Sequence, residues 1–254
     1  MWMVTVQGEH EDFGDWPVEG AEEREGRTRV YFSSRTVARA FAQAFGGKLE
    51  RAVWEVDLAY QAGWKAEPVG ERWWLVPEGE ELVAPAGRWP LRRRRGLVFG
   101  GGDHATTQAM LELLEQVELA GKRVFDLGTG TGILSEAARW MGARGVAACD
   151  TDAEAAAMAQ SALGGWGGAA VWHGPSGAAR DQCCDVLLVN IPGYVHLDLA
   201  PEYARLLRLP GELLLSGYYE WQRERIEEAL GKGFRKQREL LRGDAWVGAY
   251  FVCA

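Results

Sequence analysis

Cysteine is scarce in this chain: four residues in 254, Cys149, Cys183, Cys184 and Cys253, with no spacing that would gather a metal ion. Apart from the adjacent pair before Asp185 they sit in apolar, strand-like contexts, which predicts buried thiols and no metal site. Long apolar runs are missing too, and nothing approaches the roughly 20 residues that a membrane-spanning helix needs. The opening residues, Met1-Trp2-Met3-Val4-Thr5-Val6-Gln7, run quickly into charge and do not read as a secretion signal. A surplus of positive charge is also lacking. Twenty-eight Lys and Arg against 36 Asp and Glu leave a net charge of -8, which argues against broad nucleic-acid binding. One basic patch stands out, Arg92-Arg93-Arg94-Arg95, readable as a solvated linker flank or as a partner-binding surface. These absences lead us to expect a cytoplasmic protein without membrane contact or direct nucleic-acid binding.

What is present is a globular composition, 47% hydrophobic and 25% charged, in a chain long enough for one large domain or a domain plus a smaller module. Residues 3–7 and 27–32 alternate as strands, and Val37, Ala40, Phe41, Ala44 and Phe45 share one helical face that ends at Gly46-Gly47. Residues 48–56 read as a further strand. Residues 1–56 are therefore expected to form a small α+β module. Its acidic stretch from Glu9 to Glu25, with eight carboxylates opposed only by Arg24, reads as a solvated loop. From 57 to 95 the pattern loses regularity, and Trp64, Trp73, Trp74 and Trp89 alternate with prolines. This predicts a linker or junction whose aromatics pack between two halves.

From residue 105 onward the chain alternates helix and strand. Helices are expected at 106–117, 132–141, 152–163, 197–208 and 219–230, and strands at 122–127, 145–150, 169–173, 184–190, 211–216 and 246–252. Apolar strands separated by helices predict a doubly wound α/β sheet covered on both faces. Ligands of such sheets bind beyond the carboxyl ends of the strands.

At one of those ends stands Asp126-Leu-Gly-Thr-Gly-Thr-Gly132. Gly128, Gly130 and Gly132 let the backbone turn tightly and come close to a ligand, but the G-x-G-x-G spacing is not the G-x-G-x-x-G of a dinucleotide site, and no Lys follows to make a P-loop. The next strand ends at Asp150, eighteen residues after Gly132, where an acid accepts hydrogen bonds from ribose hydroxyls. An acid at the end of the first strand would repel a pyrophosphate, yet it suits a ligand bearing an amino group and a sulfonium. The combination points to S-adenosylmethionine, with a nicotinamide dinucleotide as the weaker reading.

The motif resembles the D-x-G-x-G-x-G of class I S-adenosylmethionine-dependent methyltransferases. Two further stretches sharpen the likeness. Phe99-Gly-Gly-Gly-Asp-His-Ala-Thr-Thr107 resembles the F-G-T-G-x-H-x-T-T signature of the ribosomal protein L11 methyltransferase family, with Gly101 in place of its first Thr. Asn190-Ile-Pro-Gly-Tyr-Val-His196 resembles the family's N-[IL]-x-A-x-x-[LH], with Pro192, Gly193 and Tyr194 as departures. The junction Trp64-Lys65 through Gly70 and the later Leu209-Pro-Gly211 and Ser216-Gly217 extend the likeness over about residues 57–252.

The resemblance implies a mostly parallel, seven-stranded Rossmann-like methyltransferase domain at 96–254, joined through 57–95 to an N-terminal module, 1–56, that recognises a protein substrate. It implies S-adenosylmethionine as cofactor, held by Phe99, Gly102, Thr106, Thr107, Asp126, Gly128, Gly130, Gly132, Asp150 and Asn190. Gly128 and Gly130 would line the methionine moiety and Asp150 would hold the ribose. Thr106 and Thr107 lie at a helix N-terminus whose amides suit a carboxylate. Asn190 would orient a nitrogen nucleophile, and His104 would orient the cofactor or accept a proton from the amine. The implied partner is ribosomal protein L11 or another basic protein. A methyltransferase for a small molecule or a nucleic acid, and a non-catalytic cofactor-binding protein, are the alternatives.

Overall fold

The computed structural model describes all residues except 1, 9–12, 14, 15, 17, 19, 25, 33, 52–58 and 244. The chain divides into two compact units, residues 1–57 and 58–254.

In the first unit β1 (Trp2–Gln7), β2 (Gly20–Arg24), β3 (Arg27–Phe32), α1 (Arg35–Phe45) and β4 (Lys48–Arg51) build an antiparallel sheet of order β2-β3-β1-β4 with one helix against it. Alternation puts Val4, Val6, Val30 and Phe32 on the covered face, where they meet Ala38, Phe41 and Ala42 of α1. Ser34 caps the helix by accepting the Val37 amide at 3.4 Å, and Gly46 closes it in the left-handed conformation (φ 67°). The acidic stretch is not all loop. Its last residues form β2, in register with β3 from Gly20 opposite Tyr31 to Arg24 opposite Arg27, because pairing satisfies backbone groups whatever the side-chain charge. Most of residues 9–19, and 52–56 of the expected fourth strand, lie outside the described residues.

The second unit begins with α2 (Ala59–Ala62), β5 (Glu67–Val69), β6 (Trp73–Pro77) and β7 (Trp89–Arg93). Here the structure corrects the expectation of an irregular linker: β5, β6 and β7 form a three-stranded sheet. Trp73, Leu75 and Leu91 are fully buried in the core of this unit. Trp73 Nε1 donates to the Leu111 carbonyl at 2.8 Å, and Trp89 packs edge-on against its ring at 5.6 Å. Prolines masked the strand pattern, since Pro68, Pro77 and Pro90 stand at edge or end positions that a strand tolerates. Two residues of the basic patch, Arg92 and Arg93, lie within β7 rather than in a linker flank.

Then follow α3 (Ala105–Leu114), β8 (Arg123–Leu127), α4 (Ile133–Trp140), β9 (Gly145–Asp150), α5 (Ala153–Ala162), β10 (Ala169–His173), β11 (Cys184–Asn190), α6 (Gly193–Leu206), β12 (Leu207–Tyr219), α7 (Arg223–Leu230), β13 (Phe234–Arg242) and β14 (Trp246–Cys253). The sheet order is β10-β9-β8-β11-β12-β14-β13, parallel except for β14, which runs antiparallel to both neighbours. Its seventh strand, β13, is absent from the sequence pattern because Phe234–Arg242 is mostly exposed and charged. Successive residues of each central strand feed opposite cores. Val124, Val186, Leu188 and Leu214 face α3 and α4, while Phe125, Leu187, Val189 and Leu213 face α6 and α7, and so both faces read as apolar. The chain runs outward from β8 to β9 and β10, then returns to β11 on the other side. The switch point between β8 and β11 is where such sheets open a crevice.

Candidate active site

Four strands deliver residues to that crevice. β8 ends just after Asp126, β9 at Asp150 and β11 at Asn190, and the antiparallel β14 begins at Trp246 opposite Tyr219 of β12. Asp126 is 1% exposed. Its Oδ2 accepts the hydroxyls of Thr129 at 2.7 Å and Ser135 at 2.6 Å, while Oδ1 has no partner among the described residues. Burial, opposed by those two hydroxyls, pushes the carboxyl up to about 6.

The glycine loop is fastened on three sides. Gly128 and Thr129 donate to the Cys149 carbonyl at 2.9 and 3.1 Å, Gly130 to Asp150 Oδ2 at 2.9 Å, and Thr131 to the Phe99 carbonyl at 3.0 Å. The Thr131 hydroxyl adds a bond to the Gly100 carbonyl at 2.6 Å. The segment Phe99–Gly102 is thereby clasped to residues some thirty positions later. Gly130 (φ 53°) is required for more than ligand access, because a Cβ there would collide with the Phe99 carbonyl oxygen. Gly128 likewise leaves room for Ile191 beside it, and Gly132 lies against Ala159 of α5. Gly102 (φ 92°) packs on Leu75 and Ile133. Gly101 has its own reason: a Cβ there would lie 2.8 Å from the Trp64 ring, which is held under the Arg93 guanidinium at 4.2 Å.

Asp150 accepts backbone N–H groups on both oxygens, from Gly130 and, at 2.9 Å, from Asp152. Each oxygen keeps a further lone pair. Asn190 Nδ2 reaches Thr107 Oγ1 at 3.5 Å, whereas its buried Oδ1 has no partner among the described residues. Thr106 and Thr107 are both buried, and Thr107 supports Asn190.

His104 is the N-cap of α3. Its Nδ1 accepts the Thr106 amide at 3.3 Å and lies 2.8 Å from the Thr106 hydroxyl. That use of the Nδ1 lone pair leaves the ring proton on Nε2, and burial lowers the imidazole below its ordinary value despite Asp103 beside it. The Thr106 amide, second in the helix, is thus taken by the histidine and is withdrawn from any anion at this helix end. His196, within the second signature, is a core residue: Nδ1 meets Tyr203 Oη at 2.8 Å, Nε2 meets the Ser216 carbonyl at 3.0 Å, and burial drives it down to about 4. Helix α6 begins at Gly193, four residues before the sequence pattern suggests, with Pro192 as its cap. The Pro192-Gly193 pair therefore starts a helix and is not an isolated turn.

Sequence reasoning missed an aromatic rim. Trp246 stacks on Tyr219 at 3.8 Å and meets His104 edge-on at 4.9 Å, and Phe99 also meets His104 edge-on at 5.1 Å. Phe99 is 50% exposed. The β12–β14 pairing brings Tyr219 and Trp246 together, and no local spacing announces it.

The model of the ribosomal protein L11 methyltransferase family matches residues 38–252. The chain belongs to that family. It is 34% identical over 252 residues to the ribosomal protein L11 methyltransferase of Symbiobacterium thermophilum, covering 96% of this chain and 79% of that protein. The corresponding protein of Prochlorococcus marinus (strain MIT 9313) is 37% identical over 211 residues, or 76% of this chain and 70% of the relative. The crystal structure of ribosomal protein L11 methylase from Lactobacillus delbrueckii subsp. bulgaricus superposes with a TM-score of 0.67 at 29% identity, over 75% of this chain and 99% of that one. As a member of the L11 methyltransferase family the chain is an S-adenosylmethionine-dependent methyltransferase. The site fits that cofactor: two buried oxygens without partners among the described residues, Asp126 Oδ1 and Asn190 Oδ1, flank a fastened glycine loop. Among the described residues no helix is long and apolar enough to cross a membrane.

Proposed function

We propose that this protein methylates an amino nitrogen of ribosomal protein L11 or of another basic protein. The observation that carries a nitrogen acceptor is Asn190 Oδ1, a buried acceptor without a partner among the described residues, at the carboxyl end of β11. The names of the relatives support a ribosomal protein as the substrate.

In this reading Asp150 holds the ribose hydroxyls through its remaining lone pairs. Gly128, Gly130 and Gly132 shape the backbone that faces the methionine moiety, with Phe99 and Gly102 clasped against it and Thr106 and Thr107 beneath. Asp126 Oδ1 takes a donor from the ligand. When bound, S-adenosylmethionine supplies a methyl group on a positively charged sulfur, open to in-line attack. The chain's own part is alignment, which is worth about 7–11 kcal/mol at its upper end.

Asn190 Oδ1 accepts an N–H of the incoming amine and so directs the nitrogen lone pair away from the amide. A lysine amine must arrive neutral, and the rim of Phe99, Trp246 and Tyr219 favours that form by excluding water. His104, with Nδ1 spent at the cap, positions the rim and is not the proton acceptor. The unit of residues 1–57 presents the protein substrate. The free thiols of Cys149, Cys184 and Cys253 suit the cytoplasm.

Calorimetric titration with S-adenosylmethionine and NAD, followed by a radiolabelled-methyl assay on purified L11 and on whole ribosomal proteins, tests this reading. Label on L11 is the expected result. Binding without protein label would move the acceptor to a small molecule or nucleic acid, or end the case for catalysis, and NAD binding in place of S-adenosylmethionine would overturn the site assignment.

A further inference from the structure

The Arg92–Arg95 patch is not absorbed by methyl transfer. Along α4, from Glu136 to Trp140, a cavity of about 460 Å³ is lined by Arg92, Arg94 and Arg139, with Trp140 and, among the described residues, a single carboxylate, Glu136. Trp140 is the last residue of α4 and Ile133 the first. At 1.5 Å per residue Trp140 lies about 10 Å along the helix from the glycine loop, and Glu136, on the way, also lines the cavity.

The charges do not cancel. Arg94 Nη1 pairs with Glu136 at 2.8 Å, both side chains nearly buried, and that accounts for the carboxylate. Arg92 is anchored through Nη1 alone, which donates to the Pro77 and Glu80 carbonyls at 2.7 and 2.8 Å. The Arg139 guanidinium lies 5.6 Å from the centre of the Trp166 ring and has no carboxylate partner among the described residues. Two guanidinium groups thus keep N–H donors unspent beside an indole that is 44% exposed.

We propose that this cleft is a second binding site, for a nucleoside phosphate: the base stacks on Trp140, and the phosphate is taken by Arg92 and Arg139. Guanidinium forks match phosphate oxygens, and stacking on an exposed indole is how a base is held without regard to its identity. The volume falls within the range of small-ligand sites, about 300–1,000 Å³. An aliphatic or carboxylate anion would leave the indole unused. A free nucleotide and the end of an RNA strand share this chemistry.

The test is fluorescence anisotropy on the full-length protein with labelled ATP and with a short 5′-labelled oligoadenylate. Saturating S-adenosylhomocysteine keeps adenine-bearing probes out of the methyl-transfer site. We expect binding of at least one probe, weakened about tenfold or more by Arg139→Glu and separately by Trp140→Ala. Both positions are exposed, and unchanged S-adenosylhomocysteine binding shows that each variant is folded; Arg139→Gln replaces Arg139→Glu if it is not. Binding of both probes, or of ATP alone, identifies a nucleotide site, and binding of the oligoadenylate alone identifies RNA. No binding by either probe, or binding unaffected by both variants, overturns the proposal. So does a loss in Arg139→Glu with none in Trp140→Ala, which would describe a phosphate patch without base recognition.

Discussion

Replacing Asp126 by Asn should change how the stability of this protein depends on pH. The carboxyl titrates near 3.8 when free and at about 6 in the fold, chiefly because burial disfavours the ionised form. Below pH 3.8 it is protonated in both states, and its contribution to stability is fully present; that contribution is lost as pH rises through about 6. A shift of about two units corresponds to about 3 kcal/mol. Working the linkage through, ionisation removes about 1 kcal/mol of stability by about pH 4.5 and about 3 kcal/mol by about pH 7.5.

Asn keeps an oxygen for the Thr129 and Ser135 hydroxyls but cannot ionise. Its amide group, set where Oδ1 has no partner, adds a cost that does not vary with pH, and so the slope is the quantity to read. Urea unfolding of both proteins at matched pH values provides it. The difference, variant minus wild type, should move in the variant's favour by about 2 kcal/mol between about pH 4.5 and 7.5. Carboxylates remote from Asp126 cancel in that difference, and Asp150, whose charge Asp126 feels, adds a smaller change. A flat difference, or one that turns toward the wild type as pH rises, would refute the claim that the fold keeps Asp126 in a site that resists its charge.

Asp150→Ala should weaken S-adenosylmethionine binding in calorimetry, whereas Asn190→Ala should leave binding intact and lower single-turnover methyl transfer; the reverse pattern would sink both assignments. His104→Ala should cost about 0.5–2 kcal/mol through the lost cap, and His104→Asn should recover most of it in thermal unfolding. A His104→Asn variant with wild-type stability and poor transfer would show that the ring matters to the rim as well. Gly130→Val should abolish cofactor binding, since its side chain would displace the Phe99 carbonyl that fastens the loop. Retained binding would mean that the two loops separate without loss.

The alternation of helix and strand beyond residue 105 is legible because each central strand is apolar on both faces, and because glycine and acid positions mark strand ends. The Asp126, Asp150 and Asn190 positions follow from the same marks, and the structure brings all three to one edge of the sheet. Local pattern fails where tertiary pairing decides. Phe234–Arg242 carries charge at most positions and still forms a strand, because β14 supplies its ladder. The segment from Glu67 to Arg93 looks broken by proline, yet it places Trp73 and Leu75 in the core. Histidine was ambiguous for a further reason. The sequence places His104 and His196 in signatures, but whether a ring nitrogen caps a helix, bridges Tyr203 to Ser216 or faces a ligand depends on neighbours that are remote in the chain.

The fastening of the glycine loop also bears on the calorimetry of ligand entry. Bonds from Gly128, Thr129, Gly130 and Thr131 run to Cys149, Asp150 and Phe99, all groups of the chain itself, so the loop gives up its conformational freedom on folding. Association then carries little ordering entropy and no coupled folding of this segment. The heat-capacity change on cofactor binding should match the apolar surface covered at the rim, with no added increment from a loop condensing around its guest.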